Sequence, residues 1–213
     1  FRNHSNMYTR RQEPWAFGPR AEKIAKKSIE LRYELLPYIY DLYYISHKEG
    51  LPIFRPMIME YEKDMNLLNI REQFMLGENM LVAPVLYEGE RSKAVYLPKG
   101  SWFNYFTMEK LQGGKWYKLP CELDEILDFV KEGSIIPTYN KKFRNVKERP
   151  NNILLKVFGE NAKGFHYNDD GHTMEYLEGK YTYMDIEVID GKEEFKYIHN
   201  DYRVENIEVQ VIK

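Results

Sequence analysis

The apolar pattern of this chain changes period at Gly50, and that change narrows the folds open to it. Over residues 20–47, from Arg20 to His47, apolar side chains recur at helical spacing: Ile24, Leu31, Leu35, Ile39, Leu42 and Ile45. Lys26, Lys27, Glu30, Arg32, Glu34 and Asp41 fall mostly between them. Gly18-Pro19 supplies a start, and Gly50 followed by Pro52 supplies a stop. Pro37 sits inside the pattern, where a proline costs about 3 kcal/mol by removing a backbone bond. Because the stripe continues in phase on both sides of Pro37, one long kinked helix is expected.

After Gly50 the period is two. Strands are expected over residues 53–61, 79–87, 93–97, 102–106, 115–119, 127–130 and 134–139, with a short helical turn near residues 70–74. Pro98-Lys99-Gly100, Gly113-Gly114 and Glu132-Gly133 separate them as turns. A second set follows over residues 153–158, 165–167, 181–189, 194–198 and 207–212. Within it, Tyr181, Tyr183, Asp185 and Glu187 alternate with Thr182, Met184, Ile186 and Val188. Asp190-Gly191 is a two-residue hairpin signal. Between the two sets, residues 141–152 hold Lys141, Lys142, Arg144, Lys147 and Arg149 against the single acid Glu148, with Pro150, and read as a solvated linker. The fold class is therefore mainly β: one long N-terminal helix followed by two sets of antiparallel strands, each closing as a β-sandwich or a barrel.

Composition excludes several functions. The 213 residues carry 31 basic and 33 acidic side chains, a formal net charge of −2, so no positive field draws nucleic acid or an anionic membrane. No apolar run approaches the ~20 residues that span a bilayer. Cys121 is the lone cysteine; it can form no internal disulfide, builds no metal cluster, and leans toward a reducing, cytoplasmic setting. No cofactor is implied.

Several polar and aromatic groups could carry chemistry. Asn168-Asp169-Asp170-Gly171-His172 is dense in carboxylate, but it lacks the ligand ladder and terminal Glu of a calcium loop, and reads as a tight turn. His166 and His172 could both reach a metal, yet nothing completes a tetrahedral set. Trp102, Tyr105 and Trp116 could form a sugar-stacking platform or serve as core. Glu13 precedes Pro14 at the approach to the helix, a position more often structural than catalytic.

A series of motifs, taken in order, is more specific than any one of them. Phe1-Arg2-Asn3-His4-Ser5 is followed by Glu13-Pro14-Trp15, then Arg32-Tyr33-Glu34-Leu35-Leu36-Pro37-Tyr38. Phe54-Arg55-Pro56, the stretch from Gly77 to Val85, and Tyr96-Leu97-Pro98-Lys99-Gly100-Ser101-Trp102 come after. This order resembles the C-terminal part of a glycoside hydrolase family 31 enzyme, the retaining α-glucosidase and α-xylosidase family. The resemblance is strong to Pro137 and weak beyond it.

It implies that residues 1–50 are the last active-site loop and closing helix of a (β/α)8 barrel, 51–140 a proximal β-sandwich, 141–152 a linker, and 153–213 a distal all-β domain. The two carboxylates of a retaining mechanism lie in the family upstream of the matching region, and its Trp-x-Asp-Met-Asn-Glu stretch does not occur here. The resemblance therefore assigns no catalytic residue to the chain and no activity to it alone. It makes His4 a substrate-binding residue donating to a sugar hydroxyl, and Arg2 a support of the same loop. Asn3-His4-Ser5 also matches a glycosylation sequon, which a substrate loop would not use.

The implied substrate is a terminal α-linked glucoside or oligosaccharide. The implied partner is the rest of the parent chain, or another copy, through the Arg20 to His47 helix. Ile24, Leu31, Leu35 and Leu42 would leave that helix with an exposed apolar stripe once the barrel strands are absent. The competing reading is a non-catalytic carbohydrate-binding or structural β-sandwich module.

Overall fold

A computed structural model describes residues 4–202 and 204–213. The helical stripe becomes two helices, α1 (Pro19–Glu34) and α2 (Leu36–Glu49), instead of one kinked rod. The break falls at Leu35, where ψ opens to 1°. The physical reason is Pro37. Placed in the first turn of a new helix, its missing N–H is one that no intrahelical acceptor would have met, so the interior penalty is avoided. Gly50 stops α2 as expected, in the left-handed region at φ 73°, with its N–H donating to Ser46 O at 3.0 Å.

The strands follow in chain order. They are β1 (Phe54–Pro56), β2 (Phe74–Leu76), β3 (Met80–Ala83), β4 (Ser92–Leu97), β5 (Ser101–Asn104), β6 (Lys110–Gln112), β7 (Lys115–Pro120), β8 (Leu127–Lys131) and β9 (Ser134–Thr138). After residues 141–152 come β10 (Asn152–Phe158), β11 (Ala162–Asn168), β12 (Thr182–Ile189), β13 (Lys192–Asn200) and β14 (Asn206–Ile212). The expected strand over residues 53–61 is cut to β1, because Pro56 has no N–H to continue the ladder. A one-turn helix, α3 (Met57–Glu60), takes over. The helical turn expected near residues 70–74 lies earlier, at Met65–Leu67, capped by Asp64, and β2 begins at Phe74.

Two layers stack in each β-unit. A six-stranded sheet, β1-β2-β3-β8-β5-β6, is covered by the pair β4-β7. Between them lie Met75, Leu81, Val95, Leu97, Trp102 and Phe129, none more than marginally accessible. In the second unit, β14-β10-β9 faces β11-β12-β13 over Leu155, Val157, Met184, Ile186 and Val188. The alternation read in residues 181–189 is observed directly: Thr182, Met184, Ile186 and Val188 are buried. The hairpin at Asp190-Gly191 has φ of 51° and 75°, the pair of positive values that a tight I′ turn needs.

Two features depart from a simple antiparallel tandem. β10 pairs parallel with β14, Leu155 opposite Val209, a pairing made possible by the long excursion through β11, β12 and β13. β9 also pairs antiparallel with β10, Pro137 opposite Leu155, so one sheet runs across residues 141–152.

The expected bare stripe on the helices is corrected at its C-terminal end. Leu35 and Leu42 are 6% and 7% exposed, packed with Tyr38 against Leu76, Met80, Phe103, Ile136 and Phe158. Leu31 and Ile39 are partly buried against the same cluster, and Ile24 is half-buried. The cover comes from the sheets of this same chain. Gly77 permits the contact: at φ 65°, it lies so close to Leu42 and Tyr38 that any side chain would collide with them.

Candidate functional site

His4 is exposed, at the start of a loop that leads to the helices. Arg2, its expected support, lies outside the described residues. Local bonds shape the loop. The Asn6 N–H donates to Thr9 Oγ1 at 2.9 Å, the Tyr8 N–H to Asn6 Oδ1 at 3.0 Å, and the Thr9 N–H to Asn6 O at 3.2 Å. A 3-10 turn, Pro14–Phe17, follows, and Gly18 at φ 93° redirects the chain into α1. Glu13 immediately precedes that turn, and its Oε2 is buried without a hydrogen-bond partner among the described residues. Met7, Tyr8, Trp15 and Phe17 are 86%, 91%, 60% and 46% exposed. The loop and the turn thus leave four large apolar side chains uncovered within eleven residues of sequence.

The three aromatics weighed as a sugar platform are not brought together. Trp102 is fully buried in the first core, its indole N–H donating to Pro98 O at 2.8 Å. Tyr105 is buried in the helix-covered cluster. Its hydroxyl donates to Glu34 Oε1 at 2.8 Å and accepts from Lys156 Nζ at 3.0 Å. Trp116 is exposed on β7, beside Tyr96.

The carboxylate cluster is a turn, as its residues suggested. Asp170 accepts from the N–H of His172 and of Thr173, both at 3.0 Å, and from the Thr173 hydroxyl at 2.7 Å. Those donors hold its carboxyl at about 2, below the usual range. His166 and His172 do not converge: His172 is exposed, whereas His166 is buried with Nδ1 3.1 Å from Asp41 Oδ1. Among the described residues no set of three His, Cys, Asp or Glu side chains is placed to hold a metal.

Asp41 was read only as a polar residue of the helix. Its Oδ1 also accepts the Tyr167 N–H at 2.8 Å, so α2 is tied to β11 by two buried bonds. Burial pushes its carboxyl upward, and the His166 ring beside it pulls the other way.

Sequence reasoning also passed over a tyrosine cluster. Tyr40 and Tyr44, one helical turn apart on α2, face Tyr167 of β11 and Tyr181 beside β12. Tyr44 and Tyr167 stack with centroids 4.4 Å apart and planes at 21°. The outward alternation Tyr181, Tyr183 was the available signal, since two aromatics on a nominally solvated strand face ask for cover.

The loop, the helices as far as Leu42 and most of the first β-unit match known domains in the same order. Residues 1–42 match the glycosyl hydrolases family 31 TIM-barrel domain, and residues 50–136 the family 31 C-terminal domain. The chain belongs to glycosyl hydrolase family 31. An alpha-glucosidase 2 from Bacillus thermoamyloliquefaciens is 39% identical over 190 residues, which cover 88% of this chain and 24% of that protein. An alpha-xylosidase from Saccharolobus solfataricus is 37% identical over 195 residues, covering 91% of this chain and 26% of the relative. The family 31 dextranase of Flavobacterium johnsoniae, solved with isomaltotriose, superposes with a TM-score of 0.85 at 30% identity. The match covers 94% of this chain and 26% of that one. The chain thus spans about a quarter of the length of these family 31 relatives.

Proposed function

We propose that this chain forms the C-terminal part of a retaining α-glycosidase that releases terminal α-linked glucose or a close relative from oligosaccharides. His4 donates from its ring to a sugar hydroxyl, Arg2 holds the same loop, and the two catalytic carboxylates come from the preceding part of the enzyme. Residues 1–50 then act as the last loop and closing helices of the barrel, 51–140 as the proximal unit and 153–213 as the distal one, with 141–152 between them.

The observation that carries this reading is the order of the two family matches along one chain. An exposed His4 loop immediately precedes the helix pair that the barrel match includes. The exposed Met7, Tyr8, Trp15 and Phe17 supply a surface for the rest of the barrel. That contact lies at the loop and the start of the helices, since the Leu35 and Leu42 end is already covered.

The test is His4→Ala in the complete enzyme. A hydrogen bond that strengthens in the transition state is worth about 1.5–4 kcal/mol, so kcat/KM on an aryl α-glucoside should fall roughly 10- to 1000-fold. Melting should hardly change, because His4 is exposed. An unchanged kcat/KM removes His4 from the site. The 213-residue chain alone should show no turnover on the same substrate.

A further inference from the structure

A groove of about 380 Å³, within the range of small-ligand sites, opens between α2, the 3-10 turn Glu175–Glu178 and the β11-β12 edge. We propose that this groove binds a short, neutral α-gluco-oligosaccharide. The choice of glucose units rests on the glycosidase reading; the sugar chemistry rests on the lining.

Aromatic surface is available on two walls. Tyr43, on α2, is 57% exposed, and Tyr176 is half-buried on the facing turn, its ring set edge-to-face with His47 at 6.2 Å between centroids. Such rings accept the C–H face of a pyranose. Tyr44 serves as support, because Tyr167 stacks on one side of it and Lys48 Nζ sits 5.7 Å from its ring centroid.

The floor is polar. Asp169, only 6% exposed, accepts from Tyr40 Oη at 2.7 Å and from the Gly171 N–H at 2.8 Å on Oδ1. Its Oδ2 accepts from Tyr167 Oη at 2.8 Å. A carboxylate offers about four acceptor directions, and these three bonds leave one on Oδ2 for a ligand hydroxyl. Burial and the neighbouring Asp169 raise both phenols, so they stay protonated and keep donating to the carboxylate. Their oxygens retain acceptor capacity toward the groove. His47 and Lys48 stand exposed at the rim as donors.

This combination selects among ligands. An apolar molecule would leave the remaining Asp169 acceptor without water or partner, a costly burial. An anion would meet the carboxylate on the floor. A neutral polyol brings hydroxyl donors to Asp169 and the phenol oxygens, hydroxyl acceptors to Lys48 and His47, and C–H faces to Tyr43 and Tyr176.

The experiment is calorimetric titration of the chain with maltotriose and with isomaltotriose. Saturable millimolar binding of at least one is expected. Tyr43→Ala and Tyr176→Ala should each weaken it about tenfold. Trp116→Ala, which removes an exposed aromatic on β7, should leave it unchanged. Far-UV circular dichroism verifies that each variant folds. Absence of saturable binding overturns the proposal. So does binding that survives the double tyrosine variant, or that disappears with Trp116→Ala, since either places the sugar elsewhere. Turnover is not read here, so a negative His4→Ala result leaves the groove standing, and absent binding leaves the glycosidase reading standing.

Discussion

Replacing Asp128 by Asn should stabilise the fold at neutral and alkaline pH and have little effect of that origin in acid. Asp128 lies on β8, flanked in the sheet by β3 and β5, and is 4% exposed. Its Oδ1 is buried with no hydrogen-bond partner among the described residues. Loss of solvent pushes its carboxyl from 3.8 up to about 7. The folded chain therefore holds this proton between pH 4 and pH 7, whereas the unfolded chain releases it. A raised folded-state value means that the contribution is fully present below about pH 4 and is lost as pH rises toward 7. The gap between 3.8 and about 7 corresponds to on the order of 4 kcal/mol at 1.36 kcal/mol per pH unit.

The amide that Asp128→Asn introduces has no charge to desolvate. Its NH2 group could go unsatisfied, at a cost of about 1–3 kcal/mol, but that cost is the same at every pH. The diagnostic is thus the pH dependence of the difference between the two proteins, not its absolute value. Urea unfolding of both at intervals from pH 4.5 to pH 8.5 cancels the other titrating groups. The difference should move in favour of Asp128→Asn by up to about 4 kcal/mol across that range and level off above pH 7. A difference that stays flat would show that Asp128 is hydrated or paired in the folded state, and the burial argument would fail.

Two further substitutions probe the joints of the fold. Gly77→Ala forces a side chain into a left-handed backbone site, 2.8 Å from Tyr38 Oη and pressed against Leu42. It should cost about 2–4 kcal/mol, seen as a lower urea midpoint at unchanged slope. Asp41→Ala strands the buried His166 ring and the Tyr167 N–H, and should cost about 2–6 kcal/mol, roughly 1–3 for each group left without a partner. A double-mutant cycle with His166→Ala should show strong coupling between the two sites, whereas additive losses would refute their pairing.

The β architecture was legible because period-two alternation reports directly which side of a strand faces a core. Met184, Ile186 and Val188 declared their face, and Asp190-Gly191 declared the turn after them. The division of the helices was not legible, because the stripe from Leu31 to Leu42 stays in phase whether the chain kinks or restarts. Only the geometry at Leu35 decides. Nor did the sequence show what covers Leu35 and Leu42, since Phe103, Ile136 and Phe158 are far along the chain and meet them only after both sheets form. The same distance hid the Asp41–His166 pair, 125 residues apart, and the groove, whose walls belong to α2 and a turn beyond β11. His4 is a candidate by family resemblance alone; no periodicity or spacing singles out an exposed loop histidine.

The support that this fold gives the His4 loop weakens along the helix pair. α2 is held on two sides, by Tyr38 and Leu42 in an apolar cluster and by Asp41 against β11. α1 is anchored at its last residue, where Glu34 pairs with the largely buried Lys156 at 2.7 Å; toward the loop it buries Ala25 fully, and its ion pairs there, Lys27–Asp124 and Glu30–Lys142, join largely exposed partners. Such pairs contribute about 0–1 kcal/mol each. The bonds among Asn6, Tyr8 and Thr9 fix the shape of the turn but not its position relative to the β-units. A sugar contact that discriminates a transition state needs placement within about 0.5 Å. Under the glycosidase reading that placement must come from cover over Met7, Tyr8, Trp15 and Phe17. Fully burying such side chains contributes roughly 1.5–3 kcal/mol apiece. On that reading the exposed Met7, Tyr8, Trp15 and Phe17 are expected to bind barrel, not sugar.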